Sequence, residues 1–305
     1  MKSSSFININ GDLKQNKIKL LIYLFFNFIQ NIYYSFFKNE FKFLRFSIKN
    51  KKYRLSNKHS ISRKFCTVFW NNVNWSSVTK TIGKLNILEI GPGDGNYFKK
   101  NISIKKHYIS EYNGFDVNFH KRWNVRKNKK FKFHKFNGNN FEKIIDKKNN
   151  LFISQSCLEH VKYDLKFFND IKILSKKTNK KIVLIHCLPN SFCLFTYLAH
   201  GYRQYNSQNI NKISKILGKE NTQVIKLGNL KFNFEHLTKT TLPLIFKKKN
   251  LMAIQNQKYH NRINKEIMNY KESSLFLSSF IVLIGTINFN KTEKNKFFNS
   301  LFYSD

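Results

Sequence analysis

The stretch Leu85-Asn86-Ile87-Leu88-Glu89-Ile90-Gly91-Pro92-Gly93-Asp94-Gly95 decides the fold. Its first six residues form a short apolar run of strand character, and they lead straight into alternating glycines before a mixed segment able to start a helix. Glycine lets the backbone turn tightly and lets a ligand approach its amides, next to the positive end of the helix that follows. The spacing also separates cofactor types. A dinucleotide fingerprint, G-x-G-x-x-G, would put its third glycine at position 96, which is Asn96. Here the glycines stand at 91, 93 and 95, with Glu89 two residues before the first.

Outward from this point, short runs rich in Ile, Val, Leu, Phe and Tyr alternate with longer mixed segments. After Leu85 to Ile90 they are Tyr108 to Asp116, Phe131 to Phe136, Leu151 to Gln155, Lys181 to Cys187, Leu251 to Gln257 and Phe280 to Thr286. Such runs, separated by segments able to hold a crossover helix, predict a doubly wound α/β sheet with helices on both faces. The second run ends Tyr112-Asn113-Gly114-Phe115-Asp116. A carboxylate at the tip of a second strand can accept hydrogen bonds from both hydroxyls of a ribose; the plainer reading is a turn aspartate or a helix cap. The fourth run leaves through Gln155-Ser156-Cys157 into Leu158-Glu159-His160-Val161, a helical start.

Together these pieces resemble the class I S-adenosylmethionine-dependent methyltransferase family: E-x-G-x-G-x-G after the first strand, an acidic residue ending the second, and Leu-Glu-His-Val after the fourth, in that order. The resemblance covers roughly Leu85 to Thr286. It implies a Rossmann-like, seven-stranded, mostly parallel sheet whose last strand is antiparallel and inserts between the fifth and sixth, with Leu251 to Gln257 and Phe280 to Thr286 as the terminal hairpin. It implies S-adenosyl-L-methionine as cofactor, with Glu89, Gly91, Gly93 and Gly95 around the methionine portion and Asp116 on the ribose. Asn137 and Asn139 would lie at the adenine, where the family often has an acidic residue. Gln155, Ser156 and Leu158 would line the wall nearest the sulfonium.

Methyl transfer needs chiefly alignment of nucleophile, methyl and sulfur, with water excluded. An oxygen nucleophile also benefits from a base, and histidine suits that work near neutral pH. His160 and His186 follow the fourth and fifth strands and are the catalytic candidates, although His186 reads equally well as a buried core histidine. Glu159-His160 is similar to a pair in a metal-assisted subset of the family that carries another Glu three residues earlier. Ser156 stands at that position, so no metal is expected. Residues 188–250 exceed the length of a crossover helix and are expected to form a substrate cap. Within it His200, Tyr202 and Arg203 are the candidate acceptor-binding residues, their aromatic and bidentate character suiting sugars, carboxylates or phosphates. The plainer alternative leaves Arg203 as a surface residue.

The remaining chain reads as a basic, aromatic N-terminal extension over 1–50, a helical connector over 51–80, the catalytic domain over 81–290 and a tail over 291–305. The run Ile18 to Phe37 is long enough to span a bilayer, but Lys19, Asn27, Gln30 and Asn31 interrupt it. A helix packed on the domain or a peripheral membrane contact through 18–37 fits it better. The net charge of +38 would ordinarily point to nucleic acid or anionic lipid. However, 48 of the 55 basic residues are Lys and Ala occurs only twice, the skew that AT-rich codons produce. An RNA acceptor therefore ranks behind a small-molecule or glycan-precursor acceptor, and the intact Gly91, Gly93, Gly95 and Asp116 argue against the other alternative, a non-catalytic binding module that retains the fold. Four scattered cysteines without a C-x-x-C pair exclude a disulfide scaffold and a zinc ribbon and favour a reducing, cytoplasmic compartment.

Overall fold

A computed structural model of the 305-residue chain describes residues 3–4, 9–12, 16–49, 55–95, 107–138, 140–198, 200–252, 254–272 and 274–302. Asn139 lies outside them.

Strand periodicity organises the centre. The strands are β1 (Lys42–Phe43), β2 (Leu85–Ile90), β3 (Ile109–Asp116), β4 (Phe131–Lys135), β5 (Leu151–Gln155), β6 (Ile182–Pro189), β7 (Thr222–Leu227) and β8 (Phe280–Ile287). They form one sheet in the order β1-β7-β8-β6-β5-β2-β3-β4. All neighbours are parallel except β8, which runs antiparallel between β6 and β7. Without the two-residue edge strand β1, this is a seven-stranded doubly wound sheet whose last strand inserts between the fifth and sixth.

Because successive side chains leave a strand on opposite faces, the apolar runs fill two layers at once. Ile87, Ile153, Ile185, Val282 and Ile284 pack with Phe65, Phe69, Trp70 and Trp75 on one face. Leu88, Phe152, Leu184 and Leu283 meet Phe167, Phe168, Ile171, Ile210 and Ile213 on the other. The second layer comes from two helices, Asp164–Thr178, ended by a left-handed Asn179, and Ser207–Leu217, started by a capping box at Asn206.

Four boundaries differ from expectation. The sixth strand is β7, not 251–257. Thr222–Leu227 has Gln and Lys interspersed among its apolar residues, so it makes no continuous apolar run, although it lies between two strands. The described residues of 251–257 instead bury Met252, leave Ile254 70% exposed and start the helix Gln257–Met268 at the Asn256 cap. Accordingly 188–250 is not one cap: the crossover helix Ser207–Leu217 and β7 belong to the sheet domain. The surplus chain lies after β7, as helices Leu230–His236, Leu242–Lys247 and Gln257–Met268. The helical connector expected over 51–80 holds the helices Ile61–Asn72 and Trp75–Ile82, and these join the domain by supplying core aromatics. Finally, residues 291–302 of the tail expected over 291–305 pack on the domain. The helix Lys291–Ser300 buries Phe297 and Phe298, and Asn74 N donates to Leu301 O.

Candidate functional site

The carboxyl ends of β2, β3 and β5 open onto a cleft of about 970 Å³. This is where ligands bind in open α/β sheets, at the point where strand order reverses. Gly91 makes the turn out of β2 with φ +72° and donates its N–H to Phe115 O at 2.8 Å. A Cβ there would lie 2.3 Å from Cys157 Sγ, so the turn and the loop after β5 meet only because position 91 has no side chain. Gly93 N donates to Asp116 Oδ2 at 2.9 Å and Asn118 N to Asp116 Oδ1 at 3.0 Å, which fixes the carboxylate at the tip of β3. Trp123 Nε1 donates to Gly93 O at 2.8 Å, and Arg122 pairs with Asp94 at 2.6 Å. The glycine turn is thus clamped by its neighbours while Gly91, Gly93 and Asp116 line the cleft.

Glu89 is buried and does not line the cleft. Burial pushes its carboxyl up to about 7, the Tyr112 hydroxyl donating to Oε2 at 2.5 Å opposes this, and the nearby Asp116 charge adds to it. Gln155 and Ser156 do line it. Trp70 Nε1 donates to Gln155 Oε1 at 2.9 Å, and Ser156 adopts φ +48° as the chain leaves β5. Asn137 stands on the β4 side of the same cleft. Gly95 lies beside the cleft lining, its N–H donating to Pro92 O at 2.9 Å. Leu158 does not reach the cleft. It is fully buried in the core, because the short helical turn Leu158–His160 aims it at the helix layer.

The far wall carries His160, Tyr202 and Asp12. His160 Nδ1 lies 2.6 Å from Asp12 Oδ2, and His200 Nδ1 lies 3.2 Å from Asp12 Oδ1. Burial alone would lower His200, but Asp12 and Glu159 outweigh it and push His200 up to about 9. Burial likewise works to raise Asp12, and His160 and His200 hold it well below the usual carboxylate range.

His200 pairs with Asp12 without lining the cleft itself, and two further candidates lie elsewhere. His186 is fully buried in β6 between the rings of Phe167 and Phe168, with Ser154 Oγ 2.9 Å from Nδ1; burial pushes it down to about 3. It is a neutral core histidine and faces no cleft. Arg203 is also fully buried. Its guanidinium donates to Val161 O at 2.6 Å, Lys162 O at 2.9 Å, Leu158 O at 3.2 Å and Ser3 Oγ at 2.7 Å, and lies 3.4 Å from Asp164. With those contacts made, the side chain holds the loop after β5, and it does not line the cleft. Asp12 and Trp70 were missed in the sequence. Asp12 belongs to no motif, and Trp70 reads as one core aromatic among several.

No family model and no curated protein matches the chain. Among solved structures it is similar to a SAM-dependent methyltransferase from Archaeoglobus fulgidus, 19% identical over 69% of this chain and 90% of that one, with a TM-score of 0.42. It is also similar to the plantazolicin methyltransferase BamL, 13% identical over 77% and 86% of the two chains, TM-score 0.42. A third is phosphoethanolamine N-methyltransferase 2 of Haemonchus contortus, 15% identical over 74% and 57%, TM-score 0.39. In its own topology, with the glycine turn after β2, the carboxylate ending β3 and antiparallel β8 between β6 and β7, the chain has the class I S-adenosylmethionine-dependent methyltransferase fold.

Proposed function

We propose that this protein transfers the methyl group of S-adenosyl-L-methionine to an oxygen of a small-molecule or glycan-precursor acceptor. The observation that carries the reading is the presence, in the lining of one cleft, of Asp116 fixed against the Gly93 amide and of His160. Asp116 would accept from the ribose hydroxyls, Asn137 would meet adenine, and Gln155 with Ser156 would wall the methyl donor. When bound, the cofactor supplies a methyl carbon activated by its sulfonium. The chain contributes orientation and a dry wall, while the His160 side receives the acceptor and its proton. A hydroxyl acceptor of small size fits the lining. Among the described residues the cleft presents two lysine or arginine side chains, Arg63 and Lys162, against Asp12, Asp94 and Asp116, a balance that does not suit a phosphate backbone.

Calorimetry with S-adenosylhomocysteine tests the cofactor. The protein is expected to bind it and to melt at a higher temperature in its presence. Asp116→Ala should remove charge-assisted bonds of about 1.5 to 3 kcal/mol each and weaken affinity at least tenfold. Absence of binding by the intact protein, or tight binding of NAD instead, would end this reading.

A second reading, contact with an anionic membrane surface, rests on the helix Lys17–Ser35. Among the described residues no helix is long and apolar enough to cross a membrane. This one is turned so that Tyr23, Asn27, Gln30 and Asn31 face inward, while Ile18, Leu21 and Phe25 are 60% to 68% exposed. The polar face is pinned: Tyr23 OH donates to His200 O at 2.9 Å, and Asn31 exchanges bonds with Gln204 and Asn206. The apolar face is therefore presented outward, with Lys17 and Lys38 near its ends, as an interfacial helix requires. Flotation with phosphatidylglycerol vesicles should recover the protein. The double variant Leu21→Ser and Phe25→Ser should stay behind with its melting temperature intact. Equal recovery of both proteins, or of neither, would remove this reading.

A further inference from the structure

Beside the cofactor half of the cleft, four side chains from three parts of the chain converge without an acceptor or cofactor to explain them: Asp12, Glu159, His160 and His200. The two imidazoles pack edge to face with ring centroids 4.5 Å apart. Each offers Nδ1 to the same carboxylate, Asp12, at 2.6 and 3.2 Å. Their Nε2 atoms both turn to the other carboxylate and stop 3.7 Å from Glu159 Oε1. The Glu159 side chain is wholly buried, and neither of its oxygens has a hydrogen-bond partner among the described residues. A buried carboxylate whose nearest positive groups are imidazole nitrogens 3.7 Å away, beyond hydrogen-bond reach, is poorly compensated, and an ion held between them would answer it more closely.

The distances identify what kind of cation fits. At 3.7 Å a nitrogen and an oxygen are too far apart for a hydrogen bond. Two ligands each about 2.1 Å from one ion, at tetrahedral to trigonal angles, stand roughly 3.4 to 3.7 Å apart. Both imidazoles meet that separation from the same carboxylate oxygen. Their other ring nitrogens are held by an outer carboxylate, the arrangement that orients histidines toward a metal. The group is also held from its backbone: Gly201 N donates to Asp12 Oδ2 at 2.9 Å, Tyr202 N to Glu159 O at 2.7 Å and Gly11 N to Gly201 O at 2.8 Å.

The geometry points to a divalent transition-metal site at the group Asp12, His160 and His200, whose candidate ligand atoms lie within 4.8 Å of one another; Glu159 Oε1, 3.7 Å from both Nε2 atoms, would join the two imidazoles as ligand, with Asp12 as the outer carboxylate that orients both rings. Two imidazoles and a carboxylate suit Zn²⁺, Mn²⁺, Fe²⁺ or Co²⁺ and leave open positions for an exogenous oxygen. The inference deepens the proposed transfer, on which its substrate class rests. A cation beside the cleft would lower the pKa of a bound hydroxyl, so the fitting acceptor is an alcohol, phenol or diol oxygen, whose proton would pass to water in the open cleft before the oxygen takes the methyl carbon from the sulfonium. Ser156, at the position where a further glutamate would be expected in a metal-assisted enzyme, contributes nothing here. The second carboxylate comes instead from Asp12, well before the sheet domain in sequence.

The test uses the full chain, stripped with a chelator, dialysed and kept free of S-adenosylmethionine, with Co²⁺ and Zn²⁺ as the probes. One equivalent of Co²⁺ should give the visible ligand-field bands of a low-symmetry nitrogen and oxygen site. Zn²⁺ should abolish them and give a one-to-one calorimetric isotherm. His200→Ala and Glu159→Gln should each weaken binding by about a hundredfold or more. Asp12→Asn, acting through the rings, should cost about tenfold to a hundredfold. Circular dichroism establishes that each variant is folded, and the cobalt bands of Asp12→Asn, weakened but retained, report separately should an inner-ligand variant fail to fold. Folded wild-type protein with no cobalt bands and no zinc isotherm would overturn the site, and so would one-to-one binding indifferent to Glu159→Gln and His200→Ala. Because cofactor is absent, failure here leaves binding of S-adenosylhomocysteine to be judged on its own result.

Discussion

Replacing Arg203 with alanine is expected to lower the unfolding free energy by about 3 to 5 kcal/mol. The guanidinium answers three backbone carbonyls, those of Leu158, Val161 and Lys162, in the loop that leaves β5, and it faces the fully buried Asp164. Asp164 in turn accepts from Ser4 N at 3.0 Å, Ser4 Oγ at 2.5 Å and Tyr205 OH at 3.1 Å. Truncation therefore leaves a buried carboxylate without its cation and carbonyls without donors. Arg203→Lys should recover only a small part of this, since one ammonium cannot reach three carbonyls set around a planar fork. Urea denaturation reads the difference as a lower midpoint at unchanged slope. A variant with the wild-type midpoint and a raised Michaelis constant for acceptor would show that Arg203 serves binding after all.

The same residue shows where the sequence stops being legible. Tyr202-Arg203 in a loop after the fifth strand has the composition of a recognition site, and nothing in one dimension reveals that Asp164 and three carbonyls occupy the guanidinium. By contrast, the glycine turn and Asp116 are legible because each is local. A strand, an alternating glycine turn and a carboxylate at the next strand tip are all set by backbone geometry within a few residues. Strand β7 escapes detection for a related reason. Its Gln223 and Lys226 break the apolar run, and the pattern of a strand one place from the sheet edge depends on neighbours distant in sequence. The apolar run at 251–257 misleads in the opposite direction, because it supplies one buried anchor, Met252, and no ladder.

The far wall of the cleft was the least legible part. Asp12 reaches it from far before the sheet in sequence, and His200, which pairs with Asp12 without lining the cleft, follows the short helix Cys193–Tyr197. Only Glu159-His160 belongs to a motif. The two walls thus have different origins. One is built from successive strand ends that any sheet of this order brings together, and the other from loops and an N-terminal segment that the sheet order does not place. That division explains why the glycine turn and the carboxylate ending β3 carry a resemblance to a family and Asp12 and His200 carry none.

His160 and His186, similar as sequence candidates, are expected to separate completely by readout. His160 lines the cleft and is oriented by Asp12. Whether it holds the acceptor's proton or a cation, His160→Ala should lower turnover by about a hundredfold or more, with affinity for S-adenosylhomocysteine nearly unchanged. His186→Gln should leave turnover at its wild-type level above pH 7 and alter stability instead. The sign follows from burial, which pushes the folded pKa of His186 down to about 3, against about 6.5 in the unfolded chain. Between those values the unfolded chain binds a proton that the folded protein refuses, so His186 costs stability as pH falls through that window and costs none above it. His236, pushed down to about 4 by burial, acts in the same direction, whereas Glu89, raised to about 7, favours the folded state below that value. Removing His186 should therefore flatten the acid side of the stability curve by up to about 1.4 kcal/mol per pH unit while the other two groups remain. Unfolding midpoints measured from pH 4 to 8 on the two variants, beside single-turnover rates, decide the matter. An active His160→Ala, or a folded but inactive His186→Gln, would reverse the assignment and place the acceptor on the wrong side of the sheet.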